Sequence, residues 1–227
     1  MNIALIMAAG SGSRMQNANE PKQFVLVNNK PLLIYSLETF NKMVDAIIIV
    51  TSLEYAEKVN ELCKQYNIDK LKAIVTGGDL RQHSVLNGLR AIKDNYPDDS
   101  VVLIHDAARP LVSEKIINDN IDAVKKYGAA VTVIPATDTT LLSDDGEFIS
   151  SSLKRSSVYQ AQTPQSFILK EILEAHLSAV KEDAFATDDA SLFNKYNKKP
   201  LRMVFGDKRN FKVTTEEDLL ILKNYLD

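Results

Sequence analysis

"MAAGSGSRMQNANEPKQF", residues 7–24, follows directly on the apolar run "IALIM" at 3–7. A short buried strand thus opens into a long loop rich in small residues and carrying cations, and that transition decides the fold class. In open α/β sheets ligands sit beyond the carboxyl ends of the strands, and the loop after the first strand commonly cradles an anion on its backbone amides. Gly10 and Gly12 permit close backbone approach there, while Arg14 and Lys22 add full positive charges. Two familiar phosphate loops do not fit. A Walker A loop needs G-x-x-x-x-G-K-[ST], which does not occur; a dinucleotide fingerprint needs a third glycine where Met15 stands and an acidic residue after the second strand, where "VTS" has none.

Working outward, apolar β-branched runs recur at "AIIIV" (46–50), "KAIVT" (72–76), "VVLIH" (101–105) and "AAVTVI" (129–134), with helical patterns near 31–41, 53–66, 83–94 and 113–127. Runs that are continuous rather than alternating suit strands covered on both faces, and strand–helix alternation suits right-handed crossovers. The reading is an α/β fold: a single domain over 1–227 with a Rossmann-like, mostly parallel sheet. After Pro135 the helical period disappears, and a "DDG" turn between strand-like pieces predicts a β-arm at about 136–158 that projects from the sheet. An arm without a core of its own is expected to pack on a second copy of the chain, giving a homodimer. Helices resume at about 168–180 and 187–196, the strand "LRMVF" follows, and "TTEEDLLILKNYL" closes the chain as a helix with a capping threonine.

With 227 residues and a net charge of −3, the chain lacks the basic excess of a nucleic-acid or anionic-membrane binder, so any anion must be met locally. A lone Cys63 excludes a disulfide framework and a thiolate metal site, which predicts a reduced, cytoplasmic setting. The N-terminus has no basic flank and too short an apolar run for a signal sequence or a membrane span. His83, His105 and His176 are scattered without the spacing of a zinc site, and structural roles are expected for all three.

Several segments carry a family resemblance in a constant order: "AAGSGSRM…PKQF", "GGDLRQHSVLNGL" (77–89), "HDAARP" (105–110), "DT" (138–139), "QTPQSF" (162–167), "TDDASL" (187–192) and "NFKVTTEEDL" (210–219). Over essentially the whole chain they resemble the nucleotidyltransferase-like cytidylyltransferases, and among these the 2-C-methyl-D-erythritol 4-phosphate cytidylyltransferase family. The resemblance implies transfer of CMP from CTP to a polyol phosphate with release of pyrophosphate. It implies that Arg14 and Lys22 contact the triphosphate, with Ala8, Gly10 and Gly12 giving close backbone approach. The base would lie against Ala9, Gly78, Asp79 and Ser84. Arg155 and Lys212 would orient the attacking phosphate, with Thr139 adding a hydroxyl contact, and Thr139 and Arg155 would reach the neighbouring subunit's site from the arm. Arg109, Thr163 and Thr187 are further candidates for lining the acceptor pocket. Asp106 is a candidate neighbour of Mg²⁺ or of substrate hydroxyls, and Arg81 is either a phosphate neighbour or a surface residue of a first helical turn.

The chemistry itself asks for little acid–base help. A phosphate monoester with a second pKa of about 6 is already largely ionised at neutral pH, so the attacking oxygen needs no general base. What it needs is neutralisation of two repelling polyanions and of the charge that builds on the leaving pyrophosphate; Mg²⁺ held mainly by phosphate oxygens suits this. Some positions depart from the family pattern: "PATDTTLL" lacks a valine and a lysine common in the arm, Ser13 stands where a basic residue is frequent, and Arg209 replaces an acidic one. The related ribitol-5-phosphate cytidylyltransferases share much of this pattern but more often carry "LAGG" and "TDAC" where this chain has "MAAG" and "TDDASL", which favours methylerythritol phosphate as acceptor and leaves ribitol phosphate as the alternative. A nucleotide sensor without turnover is a further alternative, disfavoured because it would not need both phosphate grips.

Overall fold

The structure, a computed structural model, describes residues 1–10 and 21–226. Its elements in chain order are β1 (Asn2–Met7), β2 (Leu26–Val27), β3 (Lys30–Pro31), α1 (Leu32–Met43), β4 (Ala46–Thr51), α2 (Ala56–Gln65), β5 (Leu71–Thr76), α3 (Arg81–Lys93) and β6 (Val101–Asp106). There follow α4 (Glu114–Tyr127), β7 (Ala129–Pro135), β8 (Leu141–Leu142), β9 (Ser151–Ser152), β10 (Tyr159–Ile168), α5 (Leu169–Lys181), α6 (Asp189–Asn197), β11 (Arg202–Phe205) and α7 (Glu216–Leu226).

A seven-stranded sheet runs β11-β7-β10-β6-β1-β4-β5. The apolar runs read from the sequence are its parallel members, and the reason they run unbroken is visible in the packing. Ala4 and Ile6 of β1 join a core with Leu37 and Phe40 of α1 and Ile117 of α4, whereas Ile3 and Leu5 face Val85 and Leu89 of α3 and Ile172 of α5. Every residue of β4 and β6 is buried. Full burial of one such side chain contributes about 1.5–3 kcal/mol, and a strand covered on both sides has no position left for polar alternation. Cys63 belongs to the first of these cores, and burial pushes its thiol up to about 11, an inert state.

One strand of this sheet was not anticipated. β10 inserts between β6 and β7 and runs antiparallel to both, with a register shift between Ala161 and Gln165. Its sequence, "YQAQTPQSFI", has neither an apolar run nor clean alternation, because its buried polar side chains are bonded individually. Gln162 Nε2 donates to the Asp207 carbonyl, Gln165 Nε2 to Asp188 Oδ2, and Ser166 Oγ to Asn120 Oδ1. Such pairing removes the penalty of burying polar groups.

Between β7 and β10 the chain leaves the sheet over residues 136–158, the span expected for the arm. β8 and β9 pair antiparallel there, and the "DDG" turn places Gly146 at φ +78°, a left-handed conformation that suits glycine. Leu141, Leu142, Phe148, Ile149 and Leu153 of this arm are exposed. Among the described residues no helix is long and apolar enough to cross a membrane.

Candidate functional site

From β1 the sheet order proceeds through β4 to β5 on one side, and on the other through β6. The carboxyl ends of β1 and β6 therefore flank the topological switch point, the place where an open α/β sheet leaves a crevice. A cavity of about 350 Å³ opens there, walled by Ala8, Ala9 and Gly10 after β1 and by Gly78, Asp79 and Ser84 at the entry to α3. Lys22, Arg81, Asp106 and Lys212, with Asp79, supply its charges.

Each wall has a local cause. The Ala8 amide donates to the Val50 carbonyl at 2.7 Å and the Ala8 carbonyl accepts from the buried Gln23 Nε2 at 2.7 Å, so the end of β1 is tied to β4 and to the short 3₁₀ turn Lys22–Phe24 that carries Lys22. That turn also lets Lys22 Nζ donate to the Val213 carbonyl at 3.1 Å. On the opposite wall the Gly78 amide donates to Ser84 Oγ at 3.0 Å, closing the turn over the first turn of α3. A Cβ on Gly77 would lie 2.7 Å from Ala9 Cβ, and one on Gly78 would lie 2.6 Å from His83 Cβ. The pair of glycines is thus a requirement of close packing, with the Gly77 amide donating to the Thr51 carbonyl at 2.9 Å and the Gly78 amide to Ser84 Oγ. A Cβ on Gly10, by contrast, would meet nothing within 4 Å.

Asp106, at the end of β6, is the charge hub. Lys212 Nζ donates to its Oδ2 at 2.8 Å, and Arg81 Nη2 lies 3.5 Å from its Oδ1. Burial opposes ionisation of this carboxyl, but Arg81, Lys212 and Arg109 outweigh burial and hold it well below the usual carboxylate range. The strand end itself is set by His105 and Thr163. Thr163 Oγ1 accepts the Asp106 amide at 3.1 Å and stands 3.0 Å from His105 Nδ1, while His105 Nε2 stands 3.0 Å from the Arg109 carbonyl. A hydroxyl that accepts from an amide has its own proton to give, so it donates to Nδ1, and Nε2–H donates to the carbonyl. His105 is therefore the neutral Nε2–H tautomer; burial lowers its pKa to about 4.

A second cavity, of about 470 Å³, lies on the far side of Lys212, which borders both. Arg109, Thr137, Asp138, Gln160, Gln162 and Lys208 contribute to its wall. Arg109 Nη1 donates to the Asn210 carbonyl at 2.9 Å and Nη2 to the Ala161 carbonyl at 3.4 Å, pinning the loop before Lys212 against β10. Burial lowers the Arg109 pKa despite Asp106.

The structure therefore brings together Ala8, Ala9, Gly10, Lys22, Gly78, Asp79, Ser84, Asp106 and Lys212 around the first cavity, and Arg109 with Lys212 around the second. Gly12 and Arg14 lie outside the described residues. Thr163 is buried, 4% exposed, with its hydroxyl bonded to the Asp106 amide and His105, and it borders neither of the two cavities. Thr187 borders neither of the two cavities but a small void of about 20 Å³ beside Arg81. Thr139 and Arg155 are exposed on the arm, where Arg155 Nη1 donates to the Thr137 carbonyl at 3.4 Å, and neither borders the two main cavities. Lys208 and Gln160 were missed by sequence reasoning, since no motif marks them and only their place at the rim reveals them; Asp138 lies in the "DT" segment, but the sequence reading gives it no role. Arg81 turns out to border the first cavity rather than bulk solvent alone.

Among the described residues no cluster of three His, Cys, Asp or Glu side chains could hold a metal. A hard cation in the first cavity would find the carboxylates of Asp106 and Asp79. That suits Mg²⁺, which takes one or two carboxylates and completes its shell with substrate phosphates and water.

Comparison with known proteins agrees with this geometry. The family model for IspD, 2-C-methyl-D-erythritol 4-phosphate cytidylyltransferase, matches residues 2–227. The chain is 42% identical over 231 residues to a ribitol-5-phosphate cytidylyltransferase of Vibrio parahaemolyticus, covering 100% of this chain and 96% of that one. It is 41% identical over 229 residues to a 2-C-methyl-D-erythritol 4-phosphate cytidylyltransferase of Clostridium acetobutylicum, covering 100% and 97%. The crystal structure of 4-diphosphocytidyl-2C-methyl-D-erythritol synthase from Anaerococcus prevotii superposes with a TM-score of 0.87 at 29% identity, covering 100% of this chain and 98% of that one. With a switch-point cavity walled by the first-loop and "GGD" segments and a match along almost its entire length, the chain is a nucleotidyltransferase that belongs to the IspD cytidylyltransferase family.

Proposed function

We infer that this enzyme transfers CMP from CTP to 2-C-methyl-D-erythritol 4-phosphate, giving 4-diphosphocytidyl-2-C-methyl-D-erythritol and pyrophosphate. The observation that carries the reading is the pair of cavities sharing Lys212 as a common wall. CTP occupies the first, its base against the Gly78–Ser84 turn and its phosphates towards Lys22; the polyol phosphate occupies the second. An oxygen of the acceptor phosphate attacks the α-phosphorus, the bond from that phosphorus to the bridging oxygen breaks, and pyrophosphate carries the electron pair away. No proton has to move at the attacking atom. Lys212 lies where both substrates' negative charge converges, and Lys22 with Arg14 balances charge on the triphosphate. Mg²⁺ at Asp106, when bound, supplies further neutralisation of phosphate oxygens.

Exposed apolar residues of the arm, Leu141, Leu142, Phe148 and Ile149, are the natural surface for a second copy. In such a homodimer Thr139 and Arg155, which border neither cavity of their own chain, serve the neighbour's acceptor site. A cytoplasmic setting, with no nucleic acid or membrane as partner, completes the proposal.

Ribitol 5-phosphate is the second reading, favoured specifically by the Vibrio relative. The two acceptors both have five carbons and differ in branching and in one hydroxyl, a difference worth about 1–3 kcal/mol in a pocket. Pyrophosphate release from CTP and Mg²⁺, measured in parallel with both acceptors, separates them. A preference for the branched acceptor supports the inference; a preference for ribitol phosphate replaces the acceptor and keeps the chemistry; no release with either overturns the reading.

A further inference from the structure

The "TDDASL" segment contains two adjacent aspartates with different employment. Asp188 caps α6, its Oδ1 accepting the Ser191 amide at 2.9 Å, and its Oδ2 accepts from Gln165 Nε2 at 2.8 Å. Asp189 points the other way and is 2% exposed. Its Oδ2 lies 2.8 Å from Arg81 Nη2, and its Oδ1 lies 3.3 Å from Nε2 of the equally buried His176. Burial opposes ionisation of Asp189, yet Arg81 and His176 outweigh it and keep the carboxyl below its ordinary value.

A buried carboxylate is costly unless paired, and the helix cap is already supplied by its neighbour, so Asp189 is not explained by α6 itself. Its partner is the informative feature. The same Arg81 Nη2 that meets Asp189 at 2.8 Å is 3.5 Å from Asp106 Oδ1. The shorter contact is with the residue remote from the cavity, so Asp189 sets where the guanidinium stands. The next residue of α3 reinforces the arrangement. Gln82 Nε2 donates to the Ala184 carbonyl at 3.0 Å and its Oε1 accepts the Ala186 amide at 3.2 Å, clamping the approach to α6 onto the first turn of α3. Held in this way, Arg81 leaves Lys212 as the close partner of Asp106, at 2.8 Å.

We propose that Asp189 is a positioning residue of the nucleotide site: it holds the Arg81 guanidinium back from Asp106, so that CTP meets a prearranged pattern of charges. The inference rests on reading the first cavity as the CTP site. Without its anchor Arg81 closes on Asp106, and the cationic wall offered to the nucleotide is withdrawn.

The test is CTP binding by calorimetry together with steady-state kinetics for Asp189→Asn, Arg81→Met and the double variant. Asp189→Asn should weaken CTP binding and raise its KM about tenfold, leaving kcat within about twofold, because it removes ground-state positioning. In the Arg81→Met background the same change should have no further effect. Arg81→Lys reads the bridge from its more accessible end and serves should Asp189→Asn fail to fold: the shorter lysine side chain does not bring its ammonium to where Nη2 meets both carboxylates, so CTP affinity should again fall about tenfold. Unchanged CTP affinity in both Asp189→Asn and Arg81→Lys, or a loss on Asp189→Asn that is undiminished when Arg81 is absent, would overturn the proposal while leaving the CTP site intact. Wild-type protein that binds no CTP would overturn both the site reading and this inference.

Discussion

His105 makes stability depend on pH in a window that no carboxylate covers. Its side chain is fully buried as the neutral tautomer, accepting from Thr163 and donating to the Arg109 carbonyl, and its pKa falls from 6.5 to about 4 on folding. Between those values the unfolded chain binds a proton that the native chain refuses, so stability is fully present above pH 6.5 and is lost as pH falls towards 4. The loss is about 2 kcal/mol by pH 5 and about 3 kcal/mol by pH 4, at about 1.4 kcal/mol per pKa unit. Asp106 and Asp189, held below their ordinary value of 3.8, add their losses only at lower pH. The chain has no tryptophan, so urea unfolding followed by circular dichroism at pH 7.5, 6.5, 5.5 and about 4.5 is the suitable assay. His105→Asn keeps an acceptor for Thr163, gives up the bond to Arg109 and cannot take up a proton. It should be less stable than the wild type at pH 7.5 and should flatten the slope between pH 6.5 and 4.5. A slope that survives the substitution would refute the assignment of this pH dependence to His105.

Three further outcomes follow from the same geometry. Lys212→Ala removes the cation shared by both cavities and should lower kcat/KM about 10²–10³-fold, the cost of one lost donor at developing charge, in steady-state assays of pyrophosphate release. Gly78→Ala forces a Cβ to within 2.6 Å of His83 Cβ; overpacking of this kind should cost about 1–3 kcal/mol in urea unfolding and raise the KM for CTP by displacing the turn. Arg155→Ala, at an exposed position, should leave stability within about 0.5 kcal/mol and still lower turnover. Mixing it with Lys212→Ala subunits should restore activity, since one site of each mixed dimer would then be intact, and failure of that rescue would count against sharing of the site through the arm.

The strands buried on both faces were legible because nothing but apolar residues can fill them: β1, β4 and β6 announce themselves in "IALIM", "AIIIV" and "VVLIH". β10 was illegible for the converse reason. Gln162, Gln165 and Ser166 are tolerated at its centre only because Asp207, Asp188 and Asn120 receive their hydrogen bonds from 45, 23 and 46 residues away, and no local window contains both members of a pair. The site divides in the same manner. Gly78 and Ser84 are six residues apart, and a turn into a helix start already suggests their contact. Lys212 and Asp106 are 106 apart and met on the page only through a resemblance of motifs. A hydroxyl in a motif such as that of Thr163 reads as a ligand contact, whereas the bonds that tie it to the strand end at Asp106 and His105 come from 57 and 58 residues away.

The antiparallel strand hidden from the sequence also explains why the two cavities are neighbours. Arg109 reaches the Ala161 carbonyl of β10 and the Asn210 carbonyl, and Asn210 Nδ2 donates to Gln162 Oε1 at 3.2 Å and to the Thr163 carbonyl at 2.8 Å. The loop 206–212 is therefore fastened to β10 at several points just before Lys212, while Val213 returns its amide to the Ala108 carbonyl at 2.8 Å just after it. A lysine has four rotatable bonds and a large entropy to lose when held. Bracketing its backbone on both sides and pairing its ammonium with Asp106 removes much of that freedom before any substrate arrives. On the proposed reading the incoming phosphates then take a cation already aimed between them, and the ordering of Lys212 is a cost borne in folding rather than in the transition state.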